Sequence, residues 1–332
     1  MAKTSATIRD VARAAELSVA SVSRVLNGKD NVHPDTRERV LEAVRALGYT
    51  PNAAARSLST ARTHALGVVL PDLHGEFFSE LMRGIDRAAS AHGYFPLLSS
   101  MHADGVLAGQ AMAAMRGRVD GLLVMAPQLD AADLAAALPT GLPTVLVNCQ
   151  GEDRHHAFRV DNRAGVRLMV EHLLACGRRN IVHIAGIEDN LDASERRDAF
   201  SEVMAELAPD QPARILQGDF QEATAGRLVQ ELLADDVPFD AIFAANDMMA
   251  LGALQALREA GIDVPGRVAV AGFDDVPLAR FLSLSTMRVD IDGLGARATE
   301  RLIEEMEGRA DAPAFERLTP GLMARGTTQA SN

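Results

Sequence analysis

From Ala65 onward, short apolar runs of four to six residues alternate with longer amphipathic stretches for most of the chain, and few folds tolerate that pitch. The runs at 65–70, 95–99, 121–125, 144–147, 181–185, 241–244 and 268–271 are too short for buried helices. Most of them are followed closely by Gly, Pro, Asn or Asp, which marks them as strands. Helical periodicity fills the gaps at 76–92, 104–116, 162–176, 193–207, 223–233 and 248–260. Strand and helix alternating in this way predict an α/β fold of doubly wound, mostly parallel sheets with helices on both faces. Seven or more such units exceed one comfortable sheet, so two lobes are expected. Ligands of open α/β sheets bind beyond the carboxyl ends of the strands, which makes the loops after the strands the place to look for a site.

Composition narrows the function classes. With 332 residues, 48% hydrophobic and 23% charged, the chain is in the globular range. Its first 13 residues have no apolar core of a leader, and no stretch approaches the ~18 apolar residues of a membrane span, so a cytoplasmic protein is expected. Cys149 and Cys176 form no CxxC and have no histidine at metal spacing, which argues against a zinc site or a disulfide framework. The pair His155-His156 lacks further ligand spacing, so no metal is expected. Neither the glycines at 293–295 nor those at 266–272 give a GxGxxG between a strand and a helix start, so no dinucleotide cofactor is expected. No nucleophile with a base and no paired catalytic carboxylates stand out, and the chain reads as no enzyme. Asp235-Asp236 and Glu304-Glu305 read as solvated charges.

The first 62 residues differ in kind. They hold 10 basic against 6 acidic residues, while the remainder holds 23 against 39, so a small basic head precedes an acidic body. Residues 7–47 read as three short helices without a strand. Ile8, Val11, Ala12, Ala15, Leu17, Val22 and Val25 suit two helices crossing at a tight turn, with small Ala12 permitting close approach. Ser18 is a natural N-cap for the second helix. The exposed start of that helix, Val19 and Ala20, is placed to enter a DNA major groove, with Ser21, Ser23 and Arg24 nearby. Thr7, Asn27 and His33 are further DNA-contact candidates. A third helix, 34–47, starts on Pro34, where the missing N–H is harmless, and is expected to bury Val40, Val44 and Leu47.

TIRDVARAAELSVASVSRVLNG followed by PDTRERVLEAVRALGYTPNAAARSLST resembles the head of the lactose and galactose repressor family of bacterial regulators. The likeness continues through GVVLPDLHGEFFSELMRGI, VDGLLVM, AANDMMALGALQAL and VAVAGFDDVPLARFLSLSTMRVD to RGTT, over roughly residues 7–328. It implies a helix-turn-helix domain at 1–50, a hinge helix and linker at 51–62, and a two-lobed sensor at 63–332 resembling periplasmic sugar-binding proteins. The lobe crossings are expected near Asp161, Asp290 and Leu318. In such a family the hinge helix pairs with its twin in the minor groove; Leu58 matches the wedging leucine, with Asn52, Ala55 and Arg56 in supporting places. Two departures stand out. Glu16 occupies a turn position where Gly or Asn is frequent, at a cost of about 1 kcal/mol if φ is positive. His33 stands where Ser is common.

For the sensor, the resemblance implies a cleft in which Asp72, Phe77, Phe78, Arg196, Phe220, Asn246 and Asp274 meet a small effector. Carboxylates, an amide, one Arg and aromatic rings suit a polyhydroxylated ligand, a mono- or disaccharide or sugar derivative. All but Asp72 also have a plainer role: core packing for the three phenylalanines, a surface ion pair for Arg196, and a helix cap for Asn246 and Asp274. The implied partners are double-stranded operator DNA and a second copy of the chain docked through 73–82. A heptad-leucine tail is not seen before Asn332, so a homodimer is the expected state. The implied function is a repressor of carbohydrate-utilisation genes.

Overall fold

The computed structural model describes residues 6–26, 32–49, 62–101, 105–151, 154–235 and 238–329. They fall into two compact units, 1–63 and 64–332. In the first, helices α1 (Ile8–Ala14), α2 (Val19–Leu26) and α3 (Pro34–Leu47) pack around Val11, Ala12, Ala15, Val22, Val25, Val40 and Ala43. Leu47, expected in this core, is exposed instead; Ala43 and half-buried Val44 cover that side of α3.

Backbone ends are closed with care in this unit. Thr7 and Asp10 form a capping box at the start of α1. At its far end, Glu16 adopts φ +53°, the Leu17 amide donates to the Ala12 carbonyl at 2.9 Å, and the Glu16 amide donates to the Arg13 carbonyl at 3.2 Å. These two bonds are a Schellman closure, and they are what makes the turn between α1 and α2 tight. A non-glycine residue therefore does sit in the left-handed region there. Gly48 closes α3 at φ +58°.

The second unit holds two sheets of the same plan. The first runs β11-β5-β4-β3-β1-β2, with β1 (Ala65–Leu70), β2 (Phe95–Ser100), β3 (Gly121–Met125), β4 (Thr144–Val147), β5 (His156–Val160) and β11 (Phe315–Leu318), all parallel. The second runs β12-β10-β9-β8-β6-β7, with β6 (Ile181–Ala185), β7 (Arg214–Gln217), β8 (Ala241–Ala244), β9 (Ala269–Asp274), β10 (Ser285–Arg288) and β12 (Gly321–Met323). All its pairs are parallel except β10 with β12. Both sheets therefore contain the 2-1-3-4-5 doubly wound order plus one returning edge strand. The chain passes between them through Asp161, through Asp290 and between Leu318 and Gly321.

Helices α4 (Glu76–Ala91), α5 (Gly105–Met115), α6 (Ala131–Ala137) and α12 (Ile291–Met306) serve the first lobe. Helices α7 (Asn162–Ala175), α8 (Leu191–Leu207), α9 (Glu222–Ala234), α10 (Asp247–Glu259) and the short α11 (Pro277–Phe281) serve the second. Helices α4 and α12 touch backbone to backbone, because a β-carbon on Gly84 would lie 1.9 Å from the Asp292 carbonyl oxygen and one on Gly295 2.3 Å from that of Leu81. Glu305, on the buried side of α12, is half-buried 3.8 Å from His156, and burial pushes its carboxyl up to about 7. That corrects its reading as a solvated charge.

Candidate functional site

A cleft of about 270 Å³ opens where the carboxyl ends of both sheets face each other. Asp72, Phe77, Phe78, Arg196, Phe220, Asn246 and Asp274 all line it. Each arrives from a strand end or the helix that follows. Asp72 lies two residues past β1 and fixes its loop by accepting from the Leu73 and His74 amides. Phe77 and Phe78 open α4 as an edge-to-face pair with centroids 5.4 Å apart. Phe220 follows β7 at φ +69°, with its ring lying over Gly186, where any β-carbon would come within 2.2 Å of it. Asn246 caps α10 by accepting from the Met249 amide, and its amide nitrogen donates to the Phe220 carbonyl at 3.1 Å. Its expected plainer role is thus present alongside its place in the cleft.

Arg196 is the electrostatic centre. Only 4% exposed, it stacks on Phe273 with the guanidinium carbon 3.8 Å from the ring centroid. Nε donates to Asn162 at 2.8 Å, Nη1 donates to the Ala245 carbonyl, and Nη1 lies 3.7 Å from Asp274. It is no surface ion pair. Asn162, the first residue of α7, in turn donates to Asp192 and Glu195 at 2.8 Å each, and Glu195 is ion-paired with Arg159 of β5. A buried polar chain therefore connects the arginine to the crossing at Asp161 and to the opposite lobe.

Burial dominates the acids. It pushes the Asp274 carboxyl up to about 7, with Arg196 opposing the rise and Asp192 adding to it. The same cause raises Asp192, and it raises Asp247 strongly behind the cleft, where nearby Asp274 adds to the effect. Asp247 accepts from Thr286 at 2.5 Å and from the Val276 amide at 2.9 Å. Asp274 caps no helix, since α11 starts after Val276. Its φ is +119°, and Asn148 and Phe220 in the same lining also have positive φ. Strain of this kind, about 1–3 kcal/mol per residue, gathers where a site requires a fixed geometry.

Gln128, Asn148, Asp192 and Asp219 line the cleft as well and escaped the reading by residue pattern. Gln128 and Asn148 stand within three residues of strands β3 and β4, so the strand-end rule alone would have found them. Asp219 follows β7, a strand the periodicity did not reveal, and Asp192 opens a helix whose start was placed one residue after it. The Gln128 side-chain oxygen is buried without a partner, an acceptor left for a ligand donor. Three contacts cross the mouth between the lobes: Leu191 amide to Pro127 carbonyl at 2.9 Å, Leu278 amide to Glu76 at 3.1 Å, and His74 to Glu222 at 3.4 Å.

In the other unit, Ser18 begins α2 by accepting from the Ser21 amide at 3.1 Å. Val19, Ala20 and Arg24 are exposed, Ser21 and Ser23 half-buried, and Val22 and Val25 face inward. Thr7 spends its hydroxyl in the capping box. His33 is exposed, with Nδ1 3.7 Å from Asp35, and precedes α3 without a side-chain capping bond. Asn27, Asn52, Ala55, Arg56 and Leu58 lie outside the described residues.

Known proteins share both units. Residues 7–52 match the bacterial regulatory proteins of the lacI family, and residues 170–328 match the periplasmic binding protein-like domain. The ribose operon repressor of Halalkalibacterium halodurans is 33% identical over 327 residues, covering 97% of each chain. A structure of the lac repressor dimer bound to operator and the anti-inducer ONPF superposes with a TM-score of 0.88 at 28% identity, over 98% of this chain and 100% of that one. A complex of the transcriptional regulator CelR with cellobiose covers 97% of this chain and 99% of its own, at 29% identity and a TM-score of 0.70. With a helix-turn-helix head, a two-lobed sensor and end-to-end likeness to repressors, the chain belongs to the lacI family of bacterial regulatory proteins, DNA-binding regulators of transcription.

Proposed function

We propose that the chain is a homodimeric repressor of carbohydrate-utilisation genes, acting in the cytoplasm, whose hold on operator DNA is set by an uncharged polyol bound in the cleft, a mono- or disaccharide or a sugar derivative. The observation that carries the effector reading is the convergence of all seven candidate residues on one cleft at the strand ends. Charge supports its chemistry. Among the described residues, four carboxylates, Asp72, Asp192, Asp219 and Asp274, line the cleft against one guanidinium, and Arg196 already has two of its donors engaged. A phosphate or carboxylate entering there meets net negative charge in a partly desolvated site, whereas hydroxyls give and accept hydrogen bonds from acids, amides and Gln128 alike. The names of the ribose operon repressor and the cellobiose complex agree with that class. We read the chain as a regulator and no enzyme, as its relatives are regulators.

On the DNA side, the proposal assigns α2 to the major groove, with Ser18, Val19, Ala20, Ser21, Ser23 and Arg24 along it and Thr7 and His33 at the flanking backbone. Asn27 and the hinge residues Asn52, Ala55, Arg56 and Leu58 complete the surface, within a head at 1–50, a hinge at 51–62 and a sensor at 63–332. A thermal-shift series with neutral sugars tests the effector class: a ligand of the folded sensor raises its melting temperature by mass action. Operator titration with the same sugar then tests control, since any factor by which sugar changes operator affinity must equal the factor by which operator changes sugar affinity. A sugar that binds and leaves operator affinity unchanged removes it as the effector.

A further inference from the structure

The exposed start of α2 is chemically unusual for a surface that reads base edges. Ser18 and Ser21 turn toward one another, their hydroxyl oxygens 2.9 Å apart so that one of the two hydroxyl protons is spent between them, and the Ser21 amide is bonded to Ser18 as well. Between them stand Val19, 42% exposed, and Ala20, also exposed, neither of which carries a polar side-chain atom. The first polar side chain within α2 that is exposed is Arg24, about one and a half turns further on.

A side chain without donor or acceptor cannot distinguish bases by hydrogen bonding, and pressed onto N7, O6 or N4 groups it leaves them desolvated and unpaired. The major groove offers one apolar feature, the C5-methyl group of thymine. We propose that Val19 and Ala20 read thymine methyls, so that each operator half-site carries thymine beneath the first turn of α2, while hydrogen-bonded readout is left to Arg24. This rests on the assignment of α2 to the major groove. It differs from that assignment in naming which chemical group of the operator the first turn selects.

Uracil provides the test, because it differs from thymine only in lacking the methyl. The full-length protein is first used to select a consensus from a random duplex pool. Each thymine of the consensus half-site is then replaced by uracil, symmetrically in both halves, and the affinity of each duplex is titrated at one fixed salt concentration. Burial of one methyl is worth about fourfold in affinity, so losing one per half-site should weaken binding roughly fifteenfold at one or two positions and leave the other thymines silent. Val19→Ser and Ala20→Ser remove the apolar partner at exposed positions where folding does not depend on it. In each variant, the uracil penalty at one of the sensitive positions should fall to near onefold, a coupling that a change in duplex shape would not produce. A clear consensus whose thymines all tolerate uracil, or a penalty that persists undiminished in both variants, overturns the inference and leaves α2 as a DNA-reading helix of some other chemistry. A pool that yields no consensus overturns the DNA reading itself and this inference with it.

Discussion

Among the described residues, seven no larger than valine make up the buried core of the head, whereas the sensor buries Phe200, Phe243 and Phe273 together with leucines and methionines from both sheets. The head compensates at its helix ends, where a capping box, a Schellman closure and a left-handed glycine satisfy backbone groups that its small core does not shield. Small domains bury a smaller share of their surface and stand closer to unfolding. Stability in the head is therefore expected to respond to helix ends, and stability in the sensor to packing and to buried charge.

The largest effect should come from the sensor core. Phe243→Ala removes a ring that is fully buried beside the stacked His183 and Phe200, which predicts a loss of about 3–5 kcal/mol. Hydrogen exchange resolved by peptide is the measurement. Protection should fall across 64–329 and persist across 7–49. Equal loss in both segments would break the contrast, because the units would then unfold as one.

Next in size is Arg196→Ala. Under the proposed function it removes a charge-assisted contact to the effector, which predicts a loss of about 1.5–3 kcal/mol or ten- to more than a hundredfold in affinity, with the head untouched. Sugar titration should show the loss, while operator binding without sugar should survive. Arg196 also holds Asn162 and the Ala245 carbonyl, so the sensor should melt lower as well. Undiminished sugar affinity in a folded variant would move the pocket elsewhere.

Buried charge separates the units by pH. Asp274, held near 7 when folded against 3.8 when exposed, binds more protons in the native state than in the unfolded one between those values. Its contribution to stability therefore falls as pH rises from about 4 to 7 and stays low above. His183, depressed to about 4 by burial, works the other way and costs stability as pH falls below 6.5. Asp274→Asn isolates the first effect: the variant should melt higher than the parent at pH 8, by a margin that shrinks toward pH 5. Among described residues the head buries no charged side chain, so its protection should be flat over that range. A parent and variant that differ equally at pH 5 and pH 8 would show that Asp274 is ionised throughout.

How far this contrast was legible beforehand depends on the residue. The capping chemistry of Ser18 and the start of α3 at Pro34 are local, and the sequence shows them directly. Strands in the middle of each sheet also announce themselves, because burial on both faces demands unbroken apolar runs such as Ala65–Leu70. The strands β5, β7, β10, β11 and β12 did not. His156 and Arg159 interrupt β5, and the buried Ser285 and Thr286 of β10 are satisfied only by residues about 40 positions away. Helix α12 does not show in the residue pattern because Gly293 and Gly295 look like punctuation until the Asp290 cap closes on Gly293 and α4 packs against Gly295. In the cleft, residue type and family likeness pointed to seven side chains. The chain from Arg196 through Asn162 to Arg159 was invisible, since it exists only once three elements meet.

Thr7→Ala brings the test to the head. Removing the N-cap hydroxyl should cost about 1 kcal/mol, a large fraction of what so small a core provides. Protection across α1 should drop while that of the sensor stays constant. The same substitution in a well-packed helix of the sensor, Asn190→Ala at the start of α8, should be felt less by its own unit as a fraction of total stability. If the two losses were proportionally equal, helix ends would matter no more in the head than in the body.

The smallest expected effect is also the most diagnostic of how the head is held. At φ +53°, Glu16 bears the steric cost of a β-carbon in the left-handed region, about 1 kcal/mol, yet its carboxylate lies 3.7 Å from Arg39. Both side chains of that pair are largely solvated, so the pair itself contributes little. Glu16→Gly relieves the strain but adds freedom to the unfolded chain, which returns about 0.4–1 kcal/mol of the gain. Glu16→Asn relieves part of the same strain without that entropy and loses the same ion pair. The asparagine variant should therefore stabilise the head by a few tenths of a kcal/mol, and at least as much as glycine does. Amide exchange at Leu17, whose bond to Ala12 closes the turn, reads the outcome. Destabilisation by both variants would mean that Arg39, which also donates to the Ala15 carbonyl, depends on Glu16 to clamp the turn, and that charge holds the head where backbone closure was expected to.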